Sequence, residues 1–225
     1  AMGVVLGAWP FVYILSALPC GMLLDRIGTR KALFVAAAIM ALSGFLRSFS
    51  DTYLIMILAV AVFGLGGPLI SIGAPKLIAF LFEGKDRGLA MGIYITGPGL
   101  GAVVALSITN SFLLPIFDYS WRSVIGAYAL FTISSGCIWL LLSSNQLGRL
   151  VESTMQAAST GPIGETFRNL ASIRSVQIVL AMSVGIFFFN HGLNNWLPEI
   201  IRSKGLSFVE AGYWAAIPTT VSIIS

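Results

Sequence analysis

Charge is what this sequence has least of. Only 10% of its 225 residues are charged, against 57% apolar residues and a mean hydropathy of +0.91. Soluble domains carry about 25% charged residues, so a soluble helical core with polar outer faces is excluded. Histidine occurs once, as His191, and cysteine twice, as Cys20 and Cys137. Two cysteines inside apolar runs match neither a disulfide framework nor a metal-ligand set. Both are expected as free thiols. A single histidine without a visible acid partner is no catalytic constellation, so no enzyme activity, cofactor or metal site is expected. No phosphate-binding glycine loop ending in Lys-Ser or Lys-Thr occurs, which argues against ATP drive within this chain. No basic segment precedes the first apolar run, so a cleavable signal peptide is not expected. The net charge of +4 is spread over separate turns and is no signal for nucleic acid.

What the sequence has instead is length without charge. Uncharged runs cover 1–24, 52–75, 88–117, 123–148 and 175–198. A spanning helix needs about 20 apolar residues. A sixth run, 32–46, reaches that length if Arg47 snorkels outward. A seventh, 211–225, stops in mid-run. In lipid every backbone polar group must be paired internally, which calls for helices. A β-barrel is excluded because the runs are too long and do not alternate. The expected fold class is all-α, a polytopic transmembrane helical bundle with the lipid bilayer as its first partner. Both ends fall inside apolar runs, so a segment of a longer protein is expected.

The turns between runs alternate in charge. One set, residues 25–31, 83–87 and 145–174, holds Arg26, Arg30, Lys31, Lys85, Arg87, Arg149, Arg168 and Arg174. The opposite set holds Arg47, Arg122, Arg202 and Lys204. The excess places the first set in the cytoplasm of a plasma (inner) membrane protein. Ser50 or Asp51 is expected to cap the third helix. Ser207-Phe208-Val209-Glu210 reads as a capping box, and Pro198 as a helix end. The long connection 145–173 divides the chain into a bundle over 1–144 and the start of a second over 174–225. Phe167, Leu170 and Ile173 in it have helical spacing. Either a short amphipathic surface helix or a disordered hinge fits.

Four groups of residues carry chemistry. The first is the turn Gly21-Met22-Leu23-Leu24-Asp25-Arg26-Ile27-Gly28-Thr29-Arg30-Lys31. Gly21 admits a close neighbour and Gly28 permits the bend. Asp25 can accept hydrogen bonds from a helix N-terminus or pair with an arginine. The second is Gly97-Pro98-Gly99-Leu100-Gly101, where proline kinks a helix and Gly97 and Gly101 share a packing face. The third is Lys76 after Gly73-Ala74-Pro75, where a helix break is expected. A charge deep in a span costs roughly 2.5–3.5 kcal/mol, so Lys76 either snorkels out or meets an anionic solute. The fourth is Asn190-His191-Gly192-Leu193-Asn194-Asn195-Trp196. Amides are unfavourable in hydrocarbon, so Asn190, His191, Asn194 and Asn195 face a cavity or another helix. His191 can carry a proton, and Trp196 suits either solute contact or an interfacial belt. Trp9, Tyr13, Tyr94 and Thr96 lie mid-helix and either line the same cavity or pack.

Together the first turn, the Gly97-Pro98 segment, Lys85-Asp86-Arg87-Gly88 and Trp121-Arg122 resemble the major facilitator superfamily of transporters. Thr29 departs from its usual basic residue, and Ile93 and Ala102 stand where glycines are usual. The resemblance implies a partial fold, helices 2 to 8 of an expected 12, working by alternating access as a monomer on a small-molecule solute. It implies that Gly21, Asp25, Arg26, Gly28, Arg30 and Lys31 form a conformational latch. Lys76, Tyr94, Trp9 and the Asn190–Trp196 cluster become solute-binding candidates. An arginine common in proton-coupled members is replaced by Val60, which puts that route of proton coupling in doubt. The runs 70–76, 92–98 and 194–198 are similar to the cyanate and nitroimidazole branch, whose solutes are small, polar and often anionic. The alternatives are a proton-coupled drug exporter and a transporter-like receptor that binds without flux.

Overall fold

The computed structural model describes residues 2–157 and 172–205, with Trp214 and Ile217. The elements run α1 (Met2–Ile27), α2 (Thr29–Ser48), α3 (Tyr53–Leu81), α4 (Gly84–Ile108), a π-helical turn (Thr109–Leu113), α5 (Leu114–Ile116), α6 (Trp121–Leu142), α7 (Gln146–Ala157) and α8 (Arg174–Arg202). No strand occurs among the described residues. Helices α1, α2, α3 and α6 are long and apolar enough to cross a membrane. Helices α4 and α8 have 25 and 29 residues. The chain divides into two compact units, Ala1–Thr160 and Gly161–Ser225.

In the first unit α3 packs against α1 and α2, and α6 packs on α2. Small residues set the spacing. A Cβ on Gly64 would lie 2.5 Å from the Trp9 carbonyl oxygen and 2.9 Å from Val12 Cβ. On Gly66 it would lie 3.0 Å from the Ala36 carbonyl oxygen, and on Gly136, 2.7 Å from Ala37 Cβ. Such stripes let backbones approach where lipid gives no hydrophobic drive between helices. Cys20, Leu24, Ala32, Ala36 and Leu69 form the buried core where α1, α2 and α3 meet. Ser43 Oγ donates to the Ala59 carbonyl at 2.7 Å, a bond from α2 to α3. Large apolar side chains such as Ile14, Leu18, Leu54 and Phe131 point outward, as a lipid-facing surface requires.

Several local expectations are corrected. The cap of α3 is Thr52, in an extended conformation, whose side chain accepts from the Ile55 N–H. Ser50 Oγ instead donates to the Arg47 carbonyl at 2.8 Å. Helix α3 runs unbroken through Pro68 and Pro75. Proline at 68 removes the donor for the Gly64 carbonyl, and Ser16 Oγ of α1 supplies one at 3.1 Å. That substitution from a neighbouring helix is how spans tolerate proline. Helix α4 likewise passes through Pro98, and α8 continues past Pro198 to Arg202. The irregularity in the fourth helix comes later, as the π-turn over Thr109–Leu113. In the long connection the described helix is α7, upstream of Phe167 and Leu170. Those two residues and the capping box at 207–210 lie outside the described residues.

The α1–α3 contact at Gly64 has little room to yield, because backbone atoms face it. Gly64→Ala is expected to cost about 1–3 kcal/mol through overpacking. Gly126→Ala, facing the Ser48 hydroxyl at 3.3 Å, should cost less. Thermal unfolding of the two variants in detergent checks the order, and equal midpoints would refute it.

Candidate functional site

The turn between α1 and α2 is one residue wide. Gly28 alone is non-helical, with φ +86° and ψ 154°. Asp25 and Arg26 are the end of α1, and Arg30 and Lys31 the start of α2. A side chain at 28 would be strained by the backbone and would also collide with the Glu152 carboxylate.

Two ion pairs form a layer at this end of the bundle. Lys76 Nζ on α3 donates to Asp25 Oδ1 at 2.6 Å. Thus Lys76 and Asp25, placed in separate groups by the sequence, come together. Their side chains are 32% and 39% exposed, so the pair contributes roughly 0–1 kcal/mol to stability. The second pair is more enclosed. Arg30 Nε donates to Glu152 Oε2 of α7 at 3.1 Å, with the side chains 15% and 12% exposed. Arg30 Nη1 also donates to Ser144 Oγ at 2.9 Å, and Trp139 Nε1 donates to the Arg30 carbonyl at 3.1 Å.

Glu152 does more than pair with Arg30. Gly28, the N-cap of α2, makes no side-chain capping bond. The Glu152 carboxylate lies over Gly28, at the positive end of the α2 dipole, where negative charge is favoured. Its Oε1 is buried without a hydrogen-bond partner among the described residues. Helix α7 is held on the turn in this way and covers a cavity of about 310 Å3. Thr29, Arg30, Leu77, Trp139, Val151 and Glu152 are among its walls. Sequence reasoning missed Glu152. The available signal was its isolation: no other acid occurs between Asp118 and Glu165.

A second arrangement lies between α1 and α3. Trp9 meets Tyr13 and Phe63 edge to face, each with ring centroids 6.2 Å apart. The Tyr13 hydroxyl and Ser71 Oγ share a hydrogen bond at 2.5 Å. Trp9 and Tyr13 are half-buried, and Tyr94 is half-buried on α4. Phe63 and Ser71 were not anticipated, since an aromatic and a serine in an apolar run carry no distinctive spacing. Thr96 Oγ1 donates to the Ile93 carbonyl at 2.8 Å.

The remaining candidates lie on other elements. Gly97, Pro98 and Gly101 lie on α4. Among the described residues nothing lies within 4 Å of a Cβ built on Gly21, Gly97 or Gly101. Arg26 and Lys31 are exposed. Asn190, His191, Asn194 and Asn195 occupy two successive turns of α8, in the second unit, and Trp196 beside them is exposed.

Comparison with known proteins gives a consistent family. The Major Facilitator Superfamily profile matches residues 1–225. A probable galactarate/D-glucarate transporter of Escherichia coli is 23% identical over 97% of this chain and 54% of its own length. A probable chloroplastic anion transporter of Oryza sativa is 28% identical over 100% of this chain and 44% of its own. A synaptic vesicular amine transporter of Bos taurus is 26% identical over 89% and 38%. The chain spans about half the length of these relatives or less.

The Arg30–Glu152 contact is open to a double-mutant cycle. Arg30→Gln and Glu152→Gln should each lower thermal stability, and the pair should lose less than the sum. A coupling of about 0.5–3 kcal/mol is expected for residues in contact. Additive losses would mean that the carboxylate does not hold α7 on the turn.

Proposed function

The chain belongs to the major facilitator superfamily, and on that premise we propose that it moves a small polar organic anion across a membrane by alternating access. It is a multi-pass membrane transporter in kind. The observation that carries the solute class is the match along the whole chain to relatives whose names specify sugar-acid and anion transport. The similarity of residues 70–76, 92–98 and 194–198 to the cyanate and nitroimidazole branch supports the same class from a smaller solute.

In this reading the bundle over 1–144 and the one beginning at 174 rock about a central site, as repeated halves of transporters do. The 145–173 connection joins them. The turn-bearing end faces the cytoplasm of a plasma (inner) membrane, because the basic residues gather there. Gly21, Asp25, Arg26, Gly28, Arg30 and Lys31 act as the cytoplasmic latch, and the Asp25–Lys76 pair supports this by tying α1 to α3 at that end. Trp9, Tyr13, Ser71 and Tyr94 line the solute site from the first bundle. Asn190, His191, Asn194, Asn195 and Trp196 line it from the second, with His191 as the proton carrier if coupling exists. Gly97, Pro98 and Gly101 shape the α4 wall. Lys76, held by Asp25, acts in the latch or meets the anion on release. The unit works as a monomer.

A second reading is export of an organic cation with proton coupling. The relative named for vesicular amine transport favours it. Flux distinguishes the two. The full-length protein in proteoliposomes is expected to take up labelled D-glucarate or cyanate, and an imposed pH gradient reports coupling. Uptake of amines with none of anions would replace the first reading with the second. Specific binding without flux of either would make the protein a receptor.

Asp25→Asn is expected to leave anion binding within about twofold while slowing exchange about tenfold or more, since a lost latch contact of about 1.4 kcal/mol is tenfold in a population. Unchanged exchange rates would remove Asp25 from the latch.

A further inference from the structure

Two arginines sit at the end of the bundle opposite Gly28, and the structure treats them differently. Arg122, in the first turn of α6, is engaged through its Nη2. Its Nη2 donates to the Ser50 carbonyl at 3.0 Å and lies 3.5 Å from Asp51 Oδ1. Its guanidinium stacks on Trp121 at 4.7 Å. Its carbonyl receives Ser48 Oγ at 2.8 Å. Arg122 therefore ties α6 to the α2–α3 turn.

Arg47 is near the same place; its carbonyl accepts from Ser50 Oγ at 2.8 Å, but its guanidinium is held differently. Its guanidinium lies over the Phe63 ring, 5.3 Å from the centroid. Its Nε is buried and has no hydrogen-bond partner among the described residues. The expected outward snorkelling is not what the structure displays, since the head group turns onto a ring of α3. A cation–π contact is attractive, but it does not satisfy an N–H donor. A buried donor of a charged group left unpaired is costly, and such groups point to a ligand or an ion. The ring beneath Arg47 is the first of a series. Phe63 meets Trp9, Trp9 meets Tyr13, and the Tyr13 hydroxyl is bonded to Ser71.

We propose that Arg47, with Phe63 and Trp9 as its apolar wall, is an outer subsite that binds the carboxylate of the transported organic anion before it reaches the Tyr13–Ser71 hydroxyls. This rests on the anion reading above and adds a residue to it. A planar guanidinium is the side chain suited to a carboxylate, because its donors match both oxygens. The buried Nε and the aromatic wall reduce competition from water, which strengthens the charge-assisted bonds. The neighbouring Arg122 is half-exposed and holds Ser50 and Asp51 through Nη2, whereas the buried, unpartnered donor belongs to Arg47.

The test is equilibrium binding of D-glucarate to the full-length protein in detergent, with galactitol as the uncharged comparison. Wild type should bind the dicarboxylate and not the polyol. Arg47→Gln should weaken binding about tenfold or more, the loss of one charge-assisted contact, and Arg47→Lys should retain about half or more of that lost factor through its charge. In flux the Arg47→Gln change should appear in KM, with the maximal rate within about twofold, as expected for lost uniform binding. Equal affinity of wild type and Arg47→Gln, or a fall in maximal rate with KM unchanged, would overturn the subsite and leave the anion reading standing. Absence of anion binding by wild type would sink that reading itself, and the subsite with it. Should Arg47→Gln fail to fold, modification of wild-type Arg47 by phenylglyoxal replaces it, followed by mass spectrometry. Protection of Arg47 by D-glucarate is the expected result, and equal modification with and without it overturns the proposal.

Discussion

Hydrocarbon offers no hydrogen-bond partner, and the rest of this structure follows from that constraint. Each polar group inside the spans must find its partner in protein. The Gly64 carbonyl, freed by Pro68, takes a hydroxyl from Ser16 of a neighbouring helix. Ser43 reaches the Ala59 carbonyl in the same manner. These bonds require backbones close together, and the stripe of Gly64 and Gly66 permits that approach. Charge is driven to the two ends of the bundle, where it is organised in pairs: Asp25–Lys76 and Arg30–Glu152 at one, Arg122–Asp51 at the other.

The concentration of charge at the ends gives the turn its mechanical meaning. A one-residue link at Gly28 leaves α1 and α2 little freedom at that end, so the layer moves as a unit or by breaking its pairs. The pair nearer solvent, Asp25–Lys76, is the weaker by exposure. The enclosed Arg30–Glu152 pair anchors α7, which begins the connection toward the second unit.

Most of the helices were legible because run length and lack of charge report directly on a lipid environment. The positions of α1, α2, α3 and α6 needed nothing beyond counting. Breaks at Pro75 and Pro198 were inferred from local chemistry, yet both helices continue through them, as α3 does through Pro68, where a neighbouring helix supplies the missing donor. Ser16, 48 residues away from Gly64 in the chain, is invisible to a local rule. The cap of α3 moved from Ser50 or Asp51 to Thr52, a shift within the ordinary uncertainty of helix ends. The turn residues 25–31 stood out through spacing, whereas Glu152 did not, because its partner is 122 residues distant. The Asn190–Trp196 cluster was conspicuous as polarity within an apolar run. What it faces is a property of tertiary arrangement rather than of spacing.

The central proposal is that the cytoplasmic turn containing Arg30, which pairs with Glu152, acts as a latch that opens and closes during solute movement. Alkylation at position 151, in the wall of the cavity beneath α7, measures this most directly. With Cys20, Cys137 and any other cysteine of the full-length protein replaced by alanine, Val151→Cys would be reacted with a water-soluble maleimide, with and without saturating transported solute. The account predicts a rate that changes severalfold with solute, and that becomes fast and solute-independent when Glu152→Gln is added. An equal rate in all three conditions would contradict it.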